Sequence, residues 1–480
     1  MPNQNTTDST ENLDLHLSTI PHNDVGNAER FVARYGDITK YCKDIGWIAW
    51  TGKDWSDKAG KSFVTIKCEE TAKAIKGEAK AMTAAGPRRD SGTKQPLETE
   101  EELRKRVRKH RDWAVASGQS NRIRAMRELA QAHLEVHPEQ LDADPYLLNL
   151  QNGMIDLRQG PDFELLPHQP KRLVTKIAEV RYEPNASQEV FTTFLKSIQP
   201  DAEVRAFLQR WFGLALTGEM NEQRLVMFSG SGANGKSTLA NAVRKTLGSY
   251  ATVMGFSSLL KNDRRGGADA SPDIARLKGK RAVFTSEVDQ SAVLSESLIK
   301  SLTGGEPILA RHLHQAFFEF EPEFKLTTSV NNKPIIRGQD DGIWRRMIIV
   351  NFPVKIDEKD RDPNLEKTLE ANSSGILNWM LDGYRLWQEE GLCIPASILE
   401  QTQVYRDESD PIGEFLNLWT RPKTGARIGS TALYKKYVLW CGENEIRPVG
   451  RSAFGVTMTA KGYEKQKSNT YYYVDLEFAE

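Results

Sequence analysis

The chain has 480 residues, and its 65 basic side chains balance 65 acidic ones. At about 100–200 residues per domain, this length predicts three or four domains with at least one large core. A net charge of zero argues against a protein coated in nucleic acid, although local basic patches stay open. No apolar run approaches the roughly 18 residues of a membrane span, so we expect no membrane partner. The four scattered cysteines lack the spacing of a disulfide framework or a zinc ribbon.

The first 187 residues divide by composition and periodicity. Residues 1–24 are polar and predict a disordered tail. Residues 25–85 predict a small α+β accessory domain with an aromatic hairpin and one long helix. Residues 86–100 have the composition of a linker. Residues 101–187 predict a helical domain with a hairpin, whose type I′ turn is expected at Asn152-Gly153.

An α/β core is predicted over residues 188–365, because strand-like apolar runs alternate there with helical segments. The expected strands cover 224–228, 282–285, 324–329 and 347–352. A helical connector is predicted over 366–405.

A glycine-rich loop follows the first of these strands. It matches the pattern GxxxxGK[ST] with Gly230, Ser231, Gly232, Ala233, Asn234, Gly235, Lys236, Ser237 and Thr238. The glycines let backbone N–H groups turn inward around phosphate oxygens, Lys236 supplies charge to the β- and γ-phosphates, and the Ser237 hydroxyl is placed for Mg²⁺. The helix that follows directs its dipole at the phosphates. The sequence therefore predicts nucleotide binding, with a simple strand-to-helix turn as the alternative.

Hydrolysis also needs a carboxylate at the end of a neighbouring strand. Glu287 lies two residues beyond the strand at 282–285, where it could orient the attacking water and help to hold Mg²⁺. Many such enzymes carry two acids at this point, but the preceding residue is Ser286. An acid after a strand is commonly just a solvated strand end, so that alternative stays open.

The order of segments resembles the superfamily 3 helicases, and more closely the helicase region of phage and plasmid primase-helicases, which are relatives of poxvirus and small-DNA-virus replication ATPases. Beside the glycine-rich loop, the resemblance rests on 150–158, 294–311, 325–334 and 340–346, and it covers nearly the whole chain from Asn27. It implies an α/β AAA+ P-loop ATPase core with a preceding helical domain and a C-terminal winged helix. It also implies ATP and Mg²⁺ as cofactors.

The resemblance assigns roles around the nucleotide. Asn331 would sense the γ-phosphate or position water, where an isolated Asn would simply cap a turn. Arg345 and Arg346 are candidates for an arginine finger, against the alternative of surface ion pairs. Which of the two is the finger stays open. A finger that reaches a neighbour's nucleotide requires head-to-tail packing of subunits into a ring. The resemblance to the family implies that this ring is a hexamer.

Two regions are expected to contact DNA. Arg311, His312 and His314 would lie at a hairpin tip facing the channel of the ring, against a single strand. Residues 406–480 predict a winged helix whose third helix enters a groove, with protein binding as the alternative. In this domain we expect DNA contacts from Arg451, Lys465 and Lys467, and we interpret the aromatic run at 471–473 as packing rather than stacking on bases.

The function predicted from the sequence is an ATP-dependent DNA helicase, a ring-forming translocase that acts in phage, prophage or plasmid replication. Its expected partners are single-stranded and forked DNA, further copies of itself and a separate primase, in the cytoplasm of a bacterial host. One rival is an origin-melting initiator or loader, and the other is a DNA-responsive NTPase switch in phage defence. Directional strand displacement separates the helicase from both.

Overall fold

The computed structural model describes residues 12–58, 60–90, 92, 95, 97–160, 162–261, 271–286, 292–313, 316–338, 340–444 and 446–479. It divides the chain into two units. The first unit runs to Tyr182 and includes Gly248–Tyr250, and the second comprises Glu183–Leu247 and the chain from Ala251 onward. The predicted accessory and helical domains therefore form one unit, and the predicted core, connector and C-terminal domain form the other.

The first unit combines helices with two small antiparallel sheets. Its helices are α1 (12–17), α2 (Asp24–Tyr35), α3 (Gly60–Ala85), α4 (Glu100–Ser117) and α5 (Ser120–Gln131). Its strands are β1 (Thr39–Cys42), β2 (Gly46–Trp50), β3 (Trp55–Ser56), β4 (Leu147–Leu150) and β5 (Gly153–Asp156). A shared apolar cluster, which includes Phe31, Val64 and Met126, joins the accessory segment to the helical one. This common core explains why the two predicted domains are a single unit.

The predicted disordered tail is wrong for the described residues 12–24. Residues 12–17 form α1, and the Leu17 side chain is fully buried. The Arg30 guanidinium, also fully buried, donates to the carbonyl oxygens of Leu17 at 3.1 Å and Ile20 at 2.8 Å. These bonds hold the segment against α2, which local composition does not reveal.

The β4–β5 hairpin has its turn one residue earlier than predicted. Leu150 pairs with Gly153, so the loop consists of Gln151 and Asn152. Neither of these residues has positive φ, which excludes the predicted type I′ turn. Glycine is required at 153 by close approach, because a Cβ there would lie 2.5 Å from the carbonyl oxygen of Leu166.

The second unit contains the predicted α/β core. Its helices are α6 (Glu189–Ile198), α7 (Ala202–Leu214), α8 (Lys236–Leu247), α9 (Pro272–Ala275), α10 (Glu296–Gly304), α11 (Asp341–Trp344), α12 (Leu365–Ala371), α13 (Ser373–Glu390), α14 (Ala396–Glu408), α15 (Pro411–Trp419), α16 (Ser430–Glu443) and α17 (Arg451–Ala460). Its strands are β6 (Leu225–Ser229), β7 (Ala251–Gly255), β8 (Ala282–Ser286), β9 (Ile308–Ala310), β10 (Phe318–Phe320), β11 (Lys325–Val330), β12 (Met347–Asn351), β13 (Thr420–Gly429), β14 (Lys465–Lys467) and β15 (Tyr471–Phe478).

The centre of this unit is a five-stranded parallel sheet in the order β12-β6-β11-β8-β7. Four consecutive residues of β6, from Leu225 to Phe228, are fully buried, as expected for a parallel strand covered on both faces. The four strands predicted in the core match β6, β8, β11 and β12. The parallel sheet is compatible with a P-loop ATPase core. Because the strands are parallel, their carboxyl ends share one edge, where ligands bind in open α/β sheets.

The C-terminal region of this unit has its own apolar cluster, which includes Phe415, Tyr437, Phe454 and Tyr473. Its order is α15, β13, α16, α17, β14 and β15, and the strands form an antiparallel sheet in the order β13-β15-β14. The presence of three helices agrees with the sequence prediction, which expected a third helix in this region. Strand β13 was not predicted, because it contains proline and glycine, is mostly exposed and is interrupted by a bulge.

Candidate functional site

The glycine-rich loop joins the carboxyl end of β6 to the first turn of α8. Its backbone has positive φ at Gly232 (94°), Ala233 (51°) and Gly235 (78°). At Gly235 glycine is also required sterically, because a Cβ would lie 2.5 Å from Cγ2 of Ile198. The loop therefore turns sharply and places the N-terminus of α8 at the edge of the sheet.

Lys236 directs its ammonium group into this loop. Its residue is 4% exposed, and Nζ donates to the carbonyl oxygen of Gly230 at 2.8 Å and to Oδ1 of Asn234 at 2.9 Å. A third bond reaches Oδ1 of Asn331 at 3.4 Å. Burial lowers the pKa of Lys236 below its usual value. All three described partners are neutral oxygens, so among the described residues no carboxylate neutralises this ammonium group, and an anion at this point would do so.

Asn331 reaches Lys236 because of the strand register. Val330 of β11 pairs with Ser229 of β6, so Asn331 and Gly230 are the next residues of two adjacent parallel strands. Asn331 is exposed at this edge. The structure thus brings together the loop lysine and the asparagine that were predicted separately.

The remaining predicted residues of the site are placed only in part. Glu287 lies outside the described residues, directly after the last residue of β8 in sequence. Ser237 is exposed and Thr238 half-buried on the first turn of α8. Among the described residues no group of three or more His, Cys, Asp or Glu side chains could hold a metal ion. A Mg²⁺ ion here would depend on phosphate oxygens, water and one or two protein ligands, as Mg²⁺ commonly does.

The two candidate finger arginines have opposite environments. Arg346 is 8% exposed and donates to the carbonyl oxygen of Gly342 at 2.6 Å and to the Thr303 hydroxyl at 3.2 Å, with a longer contact to Gln223 at 3.4 Å. Arg345 is exposed, and its guanidinium makes no hydrogen bond or ion pair with the described residues. Arg346 therefore braces the fold, whereas Arg345 is available to a ligand or a neighbour.

Sequence reasoning missed a group of contacts on α14, which we call the α14 bracket (Tyr405, Arg406 and Glu408). The buried Tyr405 hydroxyl donates to the carbonyl oxygen of Pro334, just beyond Asn331, and its ring packs edge-on against Trp344 at 5.5 Å. Arg406 pairs with Asp341 at 2.8 Å, and Glu408 pairs with Lys333 at 2.9 Å. The bracket thus joins the loop after Asn331 to α11, which precedes Arg345. No motif signals these contacts, because they join segments about 70 residues apart.

The β9–β10 hairpin carries a guanidinium and an imidazole that lie against aromatic rings. The Arg311 guanidinium lies 4.6 Å from the ring centre of Phe317, and the His312 ring stacks on Phe318 at 5.6 Å. Leu313 and Phe317 are 65% and 42% exposed. His314, the third predicted residue of this tip, lies outside the described residues. The described tip therefore presents aromatic, apolar and basic groups together.

The predicted C-terminal residues are all exposed. Arg451 begins α17 and donates to the Thr431 hydroxyl, whereas Lys465 and Lys467 lie on β14. Of the aromatic run at 471–473, Tyr473 is buried in the apolar cluster, as predicted, but Tyr471 is 49% exposed.

Three family models match successive parts of the chain. The model described as D5 N terminal like matches residues 28–200, a family of unknown function (DUF5906) matches 228–346, and the model described as Poxvirus D5 protein-like matches 407–480. Curated relatives that are named as helicases or primases also match this chain. The resemblance to replication primase-helicases is confirmed.

The relatives come from large DNA viruses. A protein of Acanthamoeba polyphaga mimivirus named as a helicase, L207/L206, is 30% identical over 63% of this chain and 34% of its own length. A protein of African swine fever virus named as a primase, C962R, is 27% identical over 50% of this chain and 25% of its own length. A protein of Frog virus 3 named as a helicase, 022R, is 25% identical over 52% of this chain and 28% of its own length. The match therefore spans about a third or less of each relative.

The relatives and the helices of the structure bear on the predicted host and on the expected lack of a membrane partner. These relatives belong to viruses of eukaryotes, so they give no support to a bacterial host. None of the helices in the described part of the chain combines the length and apolarity that crossing a membrane requires. A solved structure of the NrS-1 C-terminal region aligns with 62% of this chain and 78% of its own length at 13% identity, with a TM-score of 0.39.

Proposed function

We propose that the chain is an ATP-dependent DNA helicase of superfamily 3, a ring-forming AAA+ motor that acts in DNA replication. The observation that carries this proposal is the contact between Lys236 of the glycine-rich loop and Asn331 of the neighbouring strand, at the carboxyl edge of a parallel sheet. The names of the viral relatives support a helicase- or primase-like role in replication.

ATP would bind with its β- and γ-phosphates in the glycine-rich loop. Lys236 would exchange the neutral oxygens of Gly230 and Asn234 for phosphate oxygens, which restores a counter-charge to its ammonium group. Asn331 would then contact the γ-phosphate or the attacking water. Ser237 and Glu287 would hold Mg²⁺, which neutralises charge on the phosphates, and Glu287 would also orient the attacking water.

Arg345 is the better candidate for the arginine finger. An arginine finger acts on the nucleotide of another subunit, so its guanidinium must not be held by hydrogen bonds within its own subunit. Of the two arginines, only Arg345 meets that condition among the described contacts. Such a contact requires head-to-tail subunits, which close into a ring, and the resemblance suggests a hexamer. Arg346 would then serve to fix the segment that presents the finger.

DNA would contact two surfaces. The β9–β10 hairpin would meet a single strand in the channel through Arg311, His312 and His314, because stacked cations and rings bind phosphates and bases without sequence preference. The C-terminal order of helices and strands supports a winged helix, in which β14 and β15 would form the wing. Arg451, Lys465 and Lys467 would add basic contacts there. A separate primase is a further candidate partner.

Steady-state ATP turnover tests the proposed site. We expect Lys236→Ala to abolish turnover, and Glu287→Gln to leave ATP binding intact while stopping hydrolysis. The exposed Lys196→Ala on α6 is the matched control, since it removes a lysine outside the site. Normal turnover in Lys236→Ala would refute the nucleotide site, and normal turnover in Glu287→Gln would remove Glu287 from its role.

A further inference from the structure

The hairpin of β14 and β15 carries an exposed aromatic ring between two cations. Tyr471 is 49% exposed, and the ammonium groups of Lys465 and Lys467 lie 4.7 Å and 5.7 Å from its ring centre. Next to it, the Arg427 guanidinium lies 5.0 Å from the ring centre of Tyr472. Both lysines are exposed on β14. We call these five residues the wing surface.

The two lysines of the wing surface differ from two other lysines of this region, Lys423 and Lys461. Lys461 pairs with Asp410, and Lys423 pairs with Glu477 at 2.7 Å, so those cations are already matched by carboxylates. The described partners of Lys465 and Lys467 are the Tyr471 ring instead. A nucleic acid can replace both sides of these contacts. A base stacks on the Tyr471 ring, and phosphates pair with the two ammonium groups.

Helix α17 lacks the chemistry for reading a groove. Direct reading of bases relies mainly on Arg, Lys, Asn and Gln side chains, and α17 (RSAFGVTMTA) contains a single residue of these types. That residue, Arg451, lies at the first position and donates to Thr431 of α16. The middle of its exposed face is apolar, with Val456 70% exposed.

We infer that the C-terminal region binds single-stranded nucleic acid through the wing surface, by stacking a base on Tyr471, and does not read duplex sequence through α17. This inference rests on the proposed function, because it names the form of DNA that the helicase meets. It differs from the sequence prediction that the third helix enters a groove. A single strand is the fitting partner because only unpaired bases offer their faces to an exposed ring.

The experiment is binding of the full chain to fluorescein-labelled oligo-dT and to a matched duplex, without nucleotide, followed by fluorescence anisotropy across a salt series. We expect Tyr471→Ala to weaken oligo-dT binding about 5- to 20-fold, and Tyr471→Phe to stay near wild type because the ring remains. Replacing Lys465 and Lys467 together by Ala should reduce the slope of log affinity against log salt by about 1.4.

Val456→Glu, in the middle of α17, is the matched control. The added carboxylate would repel DNA phosphates if α17 lay in a groove. We nevertheless expect the affinity of this variant for oligo-dT to stay within twofold of wild type. The inference is overturned if Tyr471→Ala binds oligo-dT as wild type does, or if Val456→Glu weakens binding more than Tyr471→Ala. Thermal unfolding of each variant excludes loss of the fold. ATP turnover is measured separately through Lys236→Ala, so a failed nucleotide site and a failed wing surface give different results.

Discussion

Adjacent arginines in one sequence motif have different environments in this chain. Arg345 is exposed, whereas Arg346 is held by the carbonyl oxygen of Gly342 and the hydroxyl of Thr303. A guanidinium that is already hydrogen-bonded to buried groups of its own subunit cannot reach a neighbouring subunit without leaving those groups unpaired. The environment of each residue, and not the motif, therefore makes Arg345 the candidate finger and Arg346 a candidate structural residue.

This contrast gives a paired prediction. Arg345→Ala should lower ATP turnover by about 10³-fold or more with no change in melting temperature, because the finger stabilises only the transition state. Arg346→Ala should lower the free energy of unfolding by about 1–3 kcal/mol, because its buried partners lose their donor. Turnover and thermal unfolding of both variants are the measurements. Arg345→Lys should not rescue turnover, since a lysine cannot supply a planar fork; full activity in Arg345→Ala would contradict the assignment.

A second residue-scale prediction concerns a histidine pair in the first unit. Nε2 of His22 lies 2.7 Å from Nδ1 of His110, which in turn contacts the buried Glu78 carboxylate. The pKa of His22 is lowered to about 4, chiefly by burial and also by nearby His110, Arg30 and Lys109, while Glu78 opposes the shift. Between about pH 4 and 6.5 the unfolded chain thus binds more protons than the folded one, so the free energy of unfolding falls as the pH drops through this range.

Urea unfolding of the full chain, followed by tryptophan fluorescence at several pH values between 4 and 7, measures this effect. Trp113 stacks on His22 and reports on the site. His22→Asn should show a shallower loss of stability on acidification than wild type. An identical pH slope in the two proteins would exclude His22 as the titrating group.

At the scale of elements, α14 connects two parts of the candidate site. Its bracket contacts the loop after Asn331 on one side and α11, which presents Arg345, on the other. Tyr405 lies between them, bonded to Pro334 and packed on Trp344. We therefore expect Tyr405 to position both Asn331 and Arg345.

Tyr405→Phe should lower kcat about tenfold while the Kd for ATP stays within twofold, because the ring stays and only the bond to Pro334 is lost. The free energy of unfolding should fall by about 1 kcal/mol. The matched control is Tyr437→Phe, another buried tyrosine, whose hydroxyl accepts from the backbone of Val449 in the C-terminal region. It should cost similar stability without affecting kcat. Equal kcat values in the two variants would show that Tyr405 acts only through stability.

The sequence predicted best those elements whose signal is local. The loop from Gly230 and the four core strands were found because a motif and continuous apolar runs identify them without tertiary information. Asn331 was predicted only through the resemblance to superfamily 3 helicases, and the register of β11 against β6 explains why it lies beside Lys236. Strand β13 was missed, since its proline, glycine and exposed basic residues lack any alternation. The α14 bracket and the difference between Arg345 and Arg346 depend on contacts between distant segments, which no local pattern records.

For the whole molecule, the central claim is that ATP turnover drives movement along a single strand. The proposed nucleotide site, the exposed Arg345 and the basic aromatic hairpin are its required parts, and all three belong to the second unit. The chain matches only about a third or less of each viral relative, so its own activity has to be measured on this chain.

The most direct measurement is displacement of a labelled strand from a forked duplex, run beside ATP turnover with and without single-stranded DNA. The Lys236→Ala protein is the control. We predict that single-stranded DNA stimulates turnover, that the fork is opened only with ATP, and that the control does neither. Hydrolysis that never opens a fork, with 5′ or 3′ tails alike, would contradict a helicase and favour the initiator or the NTPase switch.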